Sequence, residues 1–439
     1  MALRRALVPM VATTLLLTGC ATGGTARSDG SAEPVAIGGG EALEGEITVW
    51  SWDVAATALD RLATEFEQEN PGTTVDVVDV GYDNAYDKLS VGLQAGSGLP
   101  DVVTIEVDRA PGYLAEFPDA FADLAPVIGD QEADFDPFKW ATGTSPDGAI
   151  AVAPWDSGTV AMFYRSDYLD AAGVDAATIE TWADLVEAGE KVKAATGRTL
   201  MSIDVASAAT FRTMLHQQGQ GYFDADGRIT VASPEAVEAL ALLKDINDRG
   251  LLQNVRGWDG RVSATKDGSS AFHPEAVWWT GTLTSEMPEL SGKFGVVELP
   301  AFTEGGARTA NNGGSGLAVP AQAANPELAA AFVEFALADV DSQVSMMENE
   351  GLFPSYLPAL ENEYFQQELE YFGGQPVFQL FAEQTAQIPT IAYATDDALA
   401  NDAVSNAVVA AVINGEDPAT ALQAAAEQIA TATGREIAG

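Results

Sequence analysis

Cysteine and histidine are nearly absent from this 439-residue chain, which contains Cys20, His216 and His273 and no others. A single cysteine excludes an internal disulfide, and two histidines leave few ligands for a zinc site. A serine hydrolase is disfavoured because no nucleophile-elbow motif accompanies the histidines. We therefore expect a protein without a metal ion or a cofactor.

Basic residues are also scarce. The chain has 21 Lys and Arg against 65 Asp and Glu, which gives a formal net charge of −44. Nucleic acids are bound through clustered Lys and Arg, so a nucleic-acid partner is disfavoured. The length exceeds what one hydrophobic core usually serves, and two lobes are expected.

Long hydrophobic runs are missing apart from the N-terminus. Two arginines there precede an apolar run at residues 6–17, which is too short to span a bilayer and has the build of a secretory signal. The following LTGC resembles a bacterial lipobox, which implies cleavage before Cys20 and a lipid on its sulfur; a plain secretory signal is the alternative. We expect a signal peptide at 1–19, a flexible tether at 20–45, and an extracytoplasmic protein that this lipid alone anchors to the cell membrane.

Strand and helix patterns alternate along the rest of the chain. Residues 46–51, 74–80 and 101–106 have the character of strands, and apolar residues recur at helical spacing between them. This order predicts parallel strands with crossover helices, and so an α/β fold. Later helices have clear start signals, such as a capping box at 181–184 and Ser-Pro-Glu at 233–235.

Aromatic and acidic residues follow the predicted strands. In open parallel sheets, ligands bind beyond the carboxyl ends of the strands. The candidates at these ends are Trp52, Asp53, Tyr82, Asp83, Glu106, Asp108, Trp155, Asp156, Trp278 and Trp279. Aromatic rings cover the apolar faces of a sugar, and carboxylates bond to its hydroxyl groups. The pattern predicts a carbohydrate site.

Two motifs each have two interpretations. Adjacent strand positions face opposite ways, so at most one of Trp278 and Trp279 is expected to face a cleft, and the sequence does not decide which. The glycines of NNGGSG (311–316) either form a turn with positive φ or let the backbone approach a ligand closely. Asn312, Gly313 and Gly314 are the candidates for ligand contact in this motif.

Five segments together resemble a known family. They are FEQENPGTTVDVV, LQAGSGLPDVVTIE, SGTVAMFYRSDYLDAAGVDAATIETWADLVEAGEKV, GGSGLAVPAQAANPELAAAFVEFAL and GLFPSYLPAL. In order and spacing they resemble family 1 of the extracellular solute-binding proteins of ABC sugar importers, which includes maltose-binding protein. The chain looks most similar to the members that bind lactose-type or arabinose-type oligosaccharides. Arg165 departs from the Asn that is common after Tyr, which suggests an altered cleft rim.

The resemblance implies a two-lobed periplasmic-binding-protein-like fold of type II, with a hinge and an interlobe ligand cleft. The N-terminal lobe would comprise 46–156 and 300–353, and the C-terminal lobe 157–299 and 354–439. The protein would be a monomeric, lipid-anchored substrate-binding component. It would capture an oligosaccharide by lobe closure and deliver it to membrane permease subunits, with the ATPase subunits involved only indirectly. No catalytic step would belong to the chain.

Two other functions stay open. A secreted glycoside hydrolase needs two acids that face one glycosidic bond, and Glu106 and Asp156 are the pair to test. A lipoprotein that presents its ligand to a sensor would have the same sequence features, and only neighbouring permease genes would distinguish it.

Overall fold

The computed structural model describes residues 43–145 and 147–439, and for Tyr82 and Asp83 it describes the backbone alone. The predicted signal peptide, Cys20 and the tether up to residue 42 lie outside the described residues. The predicted tether ends within the first strand, which already includes Gly45. In the described part of the chain, no helix has the length and apolar character needed to cross a membrane.

Ten strands and sixteen α-helices make up the regular structure of these residues. The strands are β1 (Gly45–Ser51), β2 (Thr73–Asp79), β3 (Val102–Glu106), β4 (Ala153–Pro154), β5 (Val160–Arg165), β6 (Thr199–Ile203), β7 (Leu252–Asn254), β8 (Ser270–Ala276), β9 (Phe294–Val297) and β10 (Ser315–Ala318). The helices are α1 (Asp53–Glu69), α2 (Tyr82–Ala95), α3 (Ala110–Glu116), α4 (Ala125–Ile128), α5 (Pro137–Gly143), α6 (Ser166–Ala172), α7 (Trp182–Thr196), α8 (Ala209–Gln217), α9 (Pro234–Asp248), α10 (Gly257–Lys266), α11 (Trp279–Glu286), α12 (Pro326–Leu337), α13 (Val340–Glu350), α14 (Val377–Thr385), α15 (Asp397–Val412) and α16 (Pro418–Thr433). Short 3-10 helices occur at Gly129–Asp134, Ala176–Thr178, Val205–Ser207, Pro288–Leu290, Leu357–Glu361, Glu363–Gln366 and Glu370–Phe372.

The strands form two five-stranded sheets, in the orders β2-β1-β3-β10-β4 and β7-β6-β8-β5-β9. In the first sheet β1 pairs in parallel with β2 and β3, as the strand–helix–strand order predicts. The late strand β10 inserts antiparallel between β3 and β4. In the second sheet β6 is parallel to β7 and β8, and β5 is antiparallel to β8 and β9. This two-sheet arrangement confirms the predicted α/β class.

Both faces of β5 are buried, and its residues alternate between two hydrophobic cores. Ala161 and Phe163 belong to a core that extends from the first sheet to α14. Val160 and Met162 belong to the core that α7, α9, α15 and α16 complete on the other face of the second sheet. One strand therefore joins these two hydrophobic cores, which are the largest among the described residues.

The helix starts follow the local sequence signals. Thr181 and Asp184 form the predicted capping box of α7, with each side chain bonded to the backbone of the other residue. Ser233 caps α9 through a bond from the backbone of Ala236, and Pro234 is its first residue. These start signals are correct because a cap depends on residues within one helical turn.

The chain passes from the first sheet to the second between Pro154 and Val160, and returns between Val297 and Ser315. The segment near Phe353 lies beside the first of these passages, because the Ser157 backbone N–H donates to the Phe353 carbonyl at 2.8 Å. The crossing segments are thus hydrogen-bonded side by side. The division into lobes at residues 156, 299 and 353 stays a prediction.

Candidate functional site

Two cavities lie where elements of the first sheet face elements of the second. The larger has a volume of about 980 Å³ and is lined by Val54 at the start of α1, and by Trp258 and Trp278 at the starts of α10 and α11. The other has about 480 Å³ and lies between Asp108 on one side and Arg212 on the other. Cavities of roughly 300–1,000 Å³ are typical of small-molecule sites.

Trp52 and Glu106, from the ends of β1 and β3, meet through a side chain on α2. The rings of Trp52 and Tyr86 lie 5.7 Å apart, and the Tyr86 hydroxyl donates to Glu106 Oε2 at 2.8 Å. The Arg109 guanidinium lies 4.4 Å from the centre of the Tyr86 ring. The Glu106 side chain keeps 26% exposure. The strand ends therefore form a joined aromatic and acidic cluster.

Asp53, Tyr82 and Asp83 lie at two helix starts on the same edge of the first sheet. Asp53 is the exposed first residue of α1 and has a φ of 46°, which is unusual for a residue other than glycine. Tyr82 and Asp83 begin α2 after Gly81. The sheet topology therefore brings these backbone positions next to Trp52.

Asp108, which follows β3 of the first sheet, forms an ion pair with a residue on the side of the second sheet. Its carboxylate lies 3.5 Å from Arg212 of α8, which belongs to the second sheet's side. Asp397, at the start of α15, lines the same 480 Å³ cavity. Burial, with a further contribution from the Asp108 charge, raises the pKa of Asp397 to about 7. This cavity thus combines an ion pair with an acid that titrates near neutral pH.

Asp156 is bonded to the returning strand. Its Oδ1 accepts hydrogen bonds from the backbone N–H and the hydroxyl of Ser315, at 2.7 and 2.6 Å. Nearby Lys139 is buried, and its ammonium has no hydrogen-bond partner among the described residues. Burial lowers the pKa of Lys139, and the Asp156 carboxylate opposes that shift. Asp156 therefore joins the crossing segment to β10 beside a buried lysine.

The NNGGSG segment is a turn that contacts both sides of the site. Gly313 and Gly314 have φ values of 90° and 88°. A Cβ on Gly314 would lie 2.4 Å from the Asp156 carbonyl, whereas one on Gly313 would make only an ordinary 3.7 Å contact with Trp278. Partly buried Asn312 accepts a hydrogen bond on its carbonyl from Trp278 Nε1 at 3.0 Å. Close packing of the protein itself requires Gly314.

Trp155 and Trp279 are placed differently from the expectation. Their exposures are 1% and 0%, and both belong to the hydrophobic core that includes the first sheet. The Trp155 indole donates to the Met346 sulfur at 3.1 Å. Neither ring presents a surface to a ligand in this conformation.

Trp278 is half-buried and lines the 980 Å³ cavity. Trp278 and Trp279 do not occupy adjacent strand positions as predicted, because β8 ends at Ala276 and Trp279 already begins α11. The helix start turns Trp279 inward and leaves Trp278 at the cavity. Since the Trp278 N–H is bonded to Asn312, its ring face is the part that remains for a ligand.

Sequence reasoning missed Tyr86 and Trp258. Tyr86 falls on the apolar spacing of a helix, which favoured a place in the core. Trp258 lies in the sequence GWDG, where glycine and aspartate favour a loop, yet it is the second residue of α10. Its position after β7, a strand of the second sheet, was the signal that could have identified it.

Arg165 lines neither of the two cavities described above. It ends β5, opposite Phe294, whereas the cavity lies near the other end of this strand, where Val160 pairs with Ala276. Arg165 is buried and bonded to Asp167 at 2.7 Å. Within residues 43–145 and 147–439, no group of three or more His, Cys, Asp or Glu side chains is placed to hold a metal ion.

Comparison with known proteins places the chain in a family. The model of the bacterial extracellular solute-binding protein family matches residues 51–341. The lactose-binding protein of Rhizobium radiobacter is 32% identical over 364 residues, which cover 80% of this chain and 85% of that protein. The arabinooligosaccharide-binding protein of Bacillus subtilis (strain 168) is 30% identical over 438 residues, which cover 96% and 98% of the two chains.

A solved structure shows the same fold at higher divergence. The ABC transporter associated binding protein from B. animalis subsp. lactis Bl-04, in complex with beta-1,6-galactobiose, matches with a TM-score of 0.73 and 26% identity, over 90% of this chain and all of that one. These matches confirm the resemblance and the two-lobed fold. The chain belongs to the bacterial extracellular solute-binding protein family.

Proposed function

We propose that the protein is the lipid-anchored substrate-binding component of an ABC importer and that it captures an oligosaccharide. The observation that carries this proposal is the 980 Å³ cavity with the ring of Trp278 in its wall. The names of the two relatives, for lactose and arabinooligosaccharides, and the galactobiose in the solved structure support a carbohydrate as cargo.

The proposed sugar contacts come from both sides of the cleft. Trp278 supplies a ring face, and the strand ends of the first sheet supply carboxylates, an amide and backbone groups. The proposed cleft residues are Trp52, Asp53, Tyr82, Asp83, Glu106, Asp108, Asp156, Trp278, Asn312, Gly313 and Gly314. Trp155 and Trp279 are proposed to have a structural role: their buried indoles hold the backbone of these segments in place.

Binding is proposed to close the two lobes. A sugar that contacts both sides only in the closed state adds its binding free energy to that state and shifts the population towards it. Micromolar affinity corresponds to about 8 kcal/mol, which stacked rings and satisfied hydrogen bonds can supply. The closed protein, held to the membrane by a lipid on Cys20, then delivers the sugar to the permease subunits.

A thermal-shift screen of the purified protein tests the cargo class. The ligands are galactose, lactose, arabinose, arabino-oligosaccharides, amino acids, peptides and sn-glycerol 3-phosphate. We expect the melting temperature to rise with oligosaccharides alone, because a ligand that binds only the folded state stabilises it. Chromatography of the recovered sugar distinguishes a binding protein from a glycoside hydrolase that acts through Glu106 and Asp156.

Two outcomes would contradict the proposal. A rise with amino acids, peptides or sn-glycerol 3-phosphate and none with a sugar would overturn the carbohydrate cargo, and cleaved sugar would indicate an enzyme. The anchor is tested separately by Cys20→Ser, which should release the protein from the membrane fraction of the producing cells. Unchanged membrane association of C20S would overturn the proposed lipid anchor.

A further inference from the structure

The dipeptide Asn312–Gly313 lies in the NNGGSG turn, beside the proposed cleft. Both residues are half-buried, so part of each is open to water. The backbone on either side is fixed by two hydrogen bonds. The Asn312 N–H donates to the Gly158 carbonyl at 2.8 Å, and the Gly313 carbonyl accepts from the Asn311 side-chain amide at 2.9 Å. The peptide group between Asn312 and Gly313 is therefore held in place.

Two polar groups of this dipeptide have no hydrogen-bond partner among the described residues. They are the side-chain amide of Asn312 and the backbone N–H of Gly313. Gly313 has no Cβ, so nothing on it hinders the approach of its nitrogen to the Asn312 side chain. The two groups that react with each other in asparagine deamidation are thus both unbonded.

Deamidation at this dipeptide needs water and no other reactant. The Gly313 nitrogen gives its proton to water and attacks the carbonyl carbon of the Asn312 side chain. A C–N bond forms, the bond to the amide nitrogen breaks, and the nitrogen leaves as ammonia after taking a proton from water. A second water molecule then opens the resulting succinimide ring at either of its carbonyls. The product has aspartate or isoaspartate at residue 312.

Trp278 assists the first step of this reaction. Its Nε1–H donates to the Asn312 backbone carbonyl oxygen at 3.0 Å, and that oxygen belongs to the same peptide group as the Gly313 N–H. When the nitrogen loses its proton, peptide resonance places negative charge on this oxygen. A donor already aimed at the atom where charge develops stabilises the charged state more than the neutral one. The bond from Trp278 therefore makes the Gly313 N–H more acidic.

Asn414–Gly415 provides a comparison within the same chain, which contains two Asn-Gly dipeptides. Both of its residues are exposed, and Gly415 has a φ of 79°, close to the 90° of Gly313. Among the described residues, none donates a hydrogen bond to the Asn414 carbonyl. Exposure alone would make Asn414 react faster than Asn312, whereas the donor on Trp278 favours Asn312.

We propose that Asn312 is a site of deamidation, that the Trp278 indole N–H promotes the reaction, and that a bound sugar suppresses it. The last part rests on the proposed function, in which the sugar covers the Trp278 ring and contacts Asn312. Aspartate adds a negative charge to a turn that already packs against Asp156. Isoaspartate lengthens the backbone by a methylene and so displaces the carbonyl that holds Trp278. Either product lowers the affinity for sugar.

Peptide mapping by mass spectrometry measures the reaction at both dipeptides in one sample. During incubation of the purified protein at mildly alkaline pH, we expect Asn312 to react faster than Asn414 despite its lower exposure. Trp278→Phe keeps a flat ring but removes the N–H, so the rate at Asn312 should fall by about fivefold while the rate at Asn414 stays unchanged.

Three results would contradict the proposal. No product at residue 312 after Asn414 has reacted would overturn the site. A wild-type rate at Asn312 below that at Asn414, or a rate in W278F that is unchanged or raised, would overturn the role of Trp278. A turn loosened by the substitution would speed the reaction, so poor folding of W278F cannot imitate the expected result, and its melting temperature is measured alongside.

The effect on binding is tested with lactose and linear arabinobiose. An excess of the sugar that binds should slow deamidation at Asn312 and leave Asn414 unchanged. In titration calorimetry, Asn312→Asp should bind that sugar about tenfold more weakly than the wild type. Asn414→Asp is the matched control, because it adds the same charge outside both cavities and should bind as the wild type does.

These outcomes separate the site from the proposed function. A sugar that binds without slowing the reaction, or an N312D variant that binds as tightly as the wild type, would overturn the link between deamidation and binding. A wild type that binds no sugar would overturn the proposed function, and the comparison of Asn312 with Asn414 would still decide the site.

Discussion

Alanine at Gly314 should destabilise the protein more than alanine at the adjacent Gly313. Both glycines have a positive φ, near 90°, which costs an L-residue about 1–2 kcal/mol. Only at Gly314 does the added Cβ collide with backbone, at 2.4 Å from the Asp156 carbonyl oxygen. Ordinary contact begins at 3.4 Å, so that carbonyl must move by 3.4 − 2.4 = 1.0 Å.

The size of the effect follows from these two contributions. Overpacking in a tightly packed region costs about 1–3 kcal/mol. Gly314→Ala should therefore lower the free energy of unfolding by about 2–5 kcal/mol, and Gly313→Ala by about 1–2 kcal/mol. The movement also displaces the Lys139 ammonium, which would lie 2.6 Å from the new Cβ.

Urea denaturation at neutral pH measures the difference. Gly305→Ala is a second control, because Gly305 has a φ of 73° and open space around its Cβ position, so it reports backbone strain alone. Equal losses in G313A and G314A would refute the reasoning. So would a G314A variant no less stable than G305A.

Three further predictions concern binding, helix capping and pH. Trp279→Ala should lower the free energy of unfolding by about 3–5 kcal/mol, because Trp279 has 0% exposure. Trp278→Ala should mainly weaken sugar binding in titration calorimetry, because Trp278 lines the cavity. The reverse pattern would contradict the structure. Thr181→Ala should lower stability by about 1 kcal/mol in urea denaturation and Thr181→Ser should restore it, because the cap of α7 needs the hydroxyl. Burial sets the pKa of four groups so that their effects on stability oppose one another; these are Glu275 and Asp397, at about 7, and His216 and His273, at about 3. As the pH rises from 5 to 6.5, the two acids lower the free energy of unfolding of the protein and the two histidines raise it. Over that interval a Glu275→Gln/Asp397→Asn double variant should therefore gain about 2–4 kcal/mol more stability than the wild type. Urea denaturation at both pH values measures the difference.

The parts of the fold that the sequence predicted correctly depend on short-range patterns. The first three strands, their parallel order and the caps at Thr181 and Ser233 each follow from residues within about one turn or one strand. The insertion of β10 between β3 and β4 was not predicted, because β10 lies about 210 residues after β3 and about 160 after β4, and pairings over such distances carry no local signal.

The site was predicted less completely for a related reason. The strand-end rule placed Trp52, Glu106 and Asp156 at one edge of the first sheet, and the sheet topology gathers those strand ends. It could not tell which indole of the Trp278–Trp279 pair is buried, because that depends on where β8 ends and α11 begins. It also could not show that Asp156 is bonded to Ser315, a contact made by the returning chain.

The position of β10 has a consequence for the order in which the protein folds. A strand that lies in the middle of the first sheet is made about 160 residues after the strand β4 beside it. The second core likewise waits for α15 and α16, the last helices of the chain. Neither lobe can complete its core from the polypeptide that emerges first, so closing these long loops is expected to be the slow step of folding.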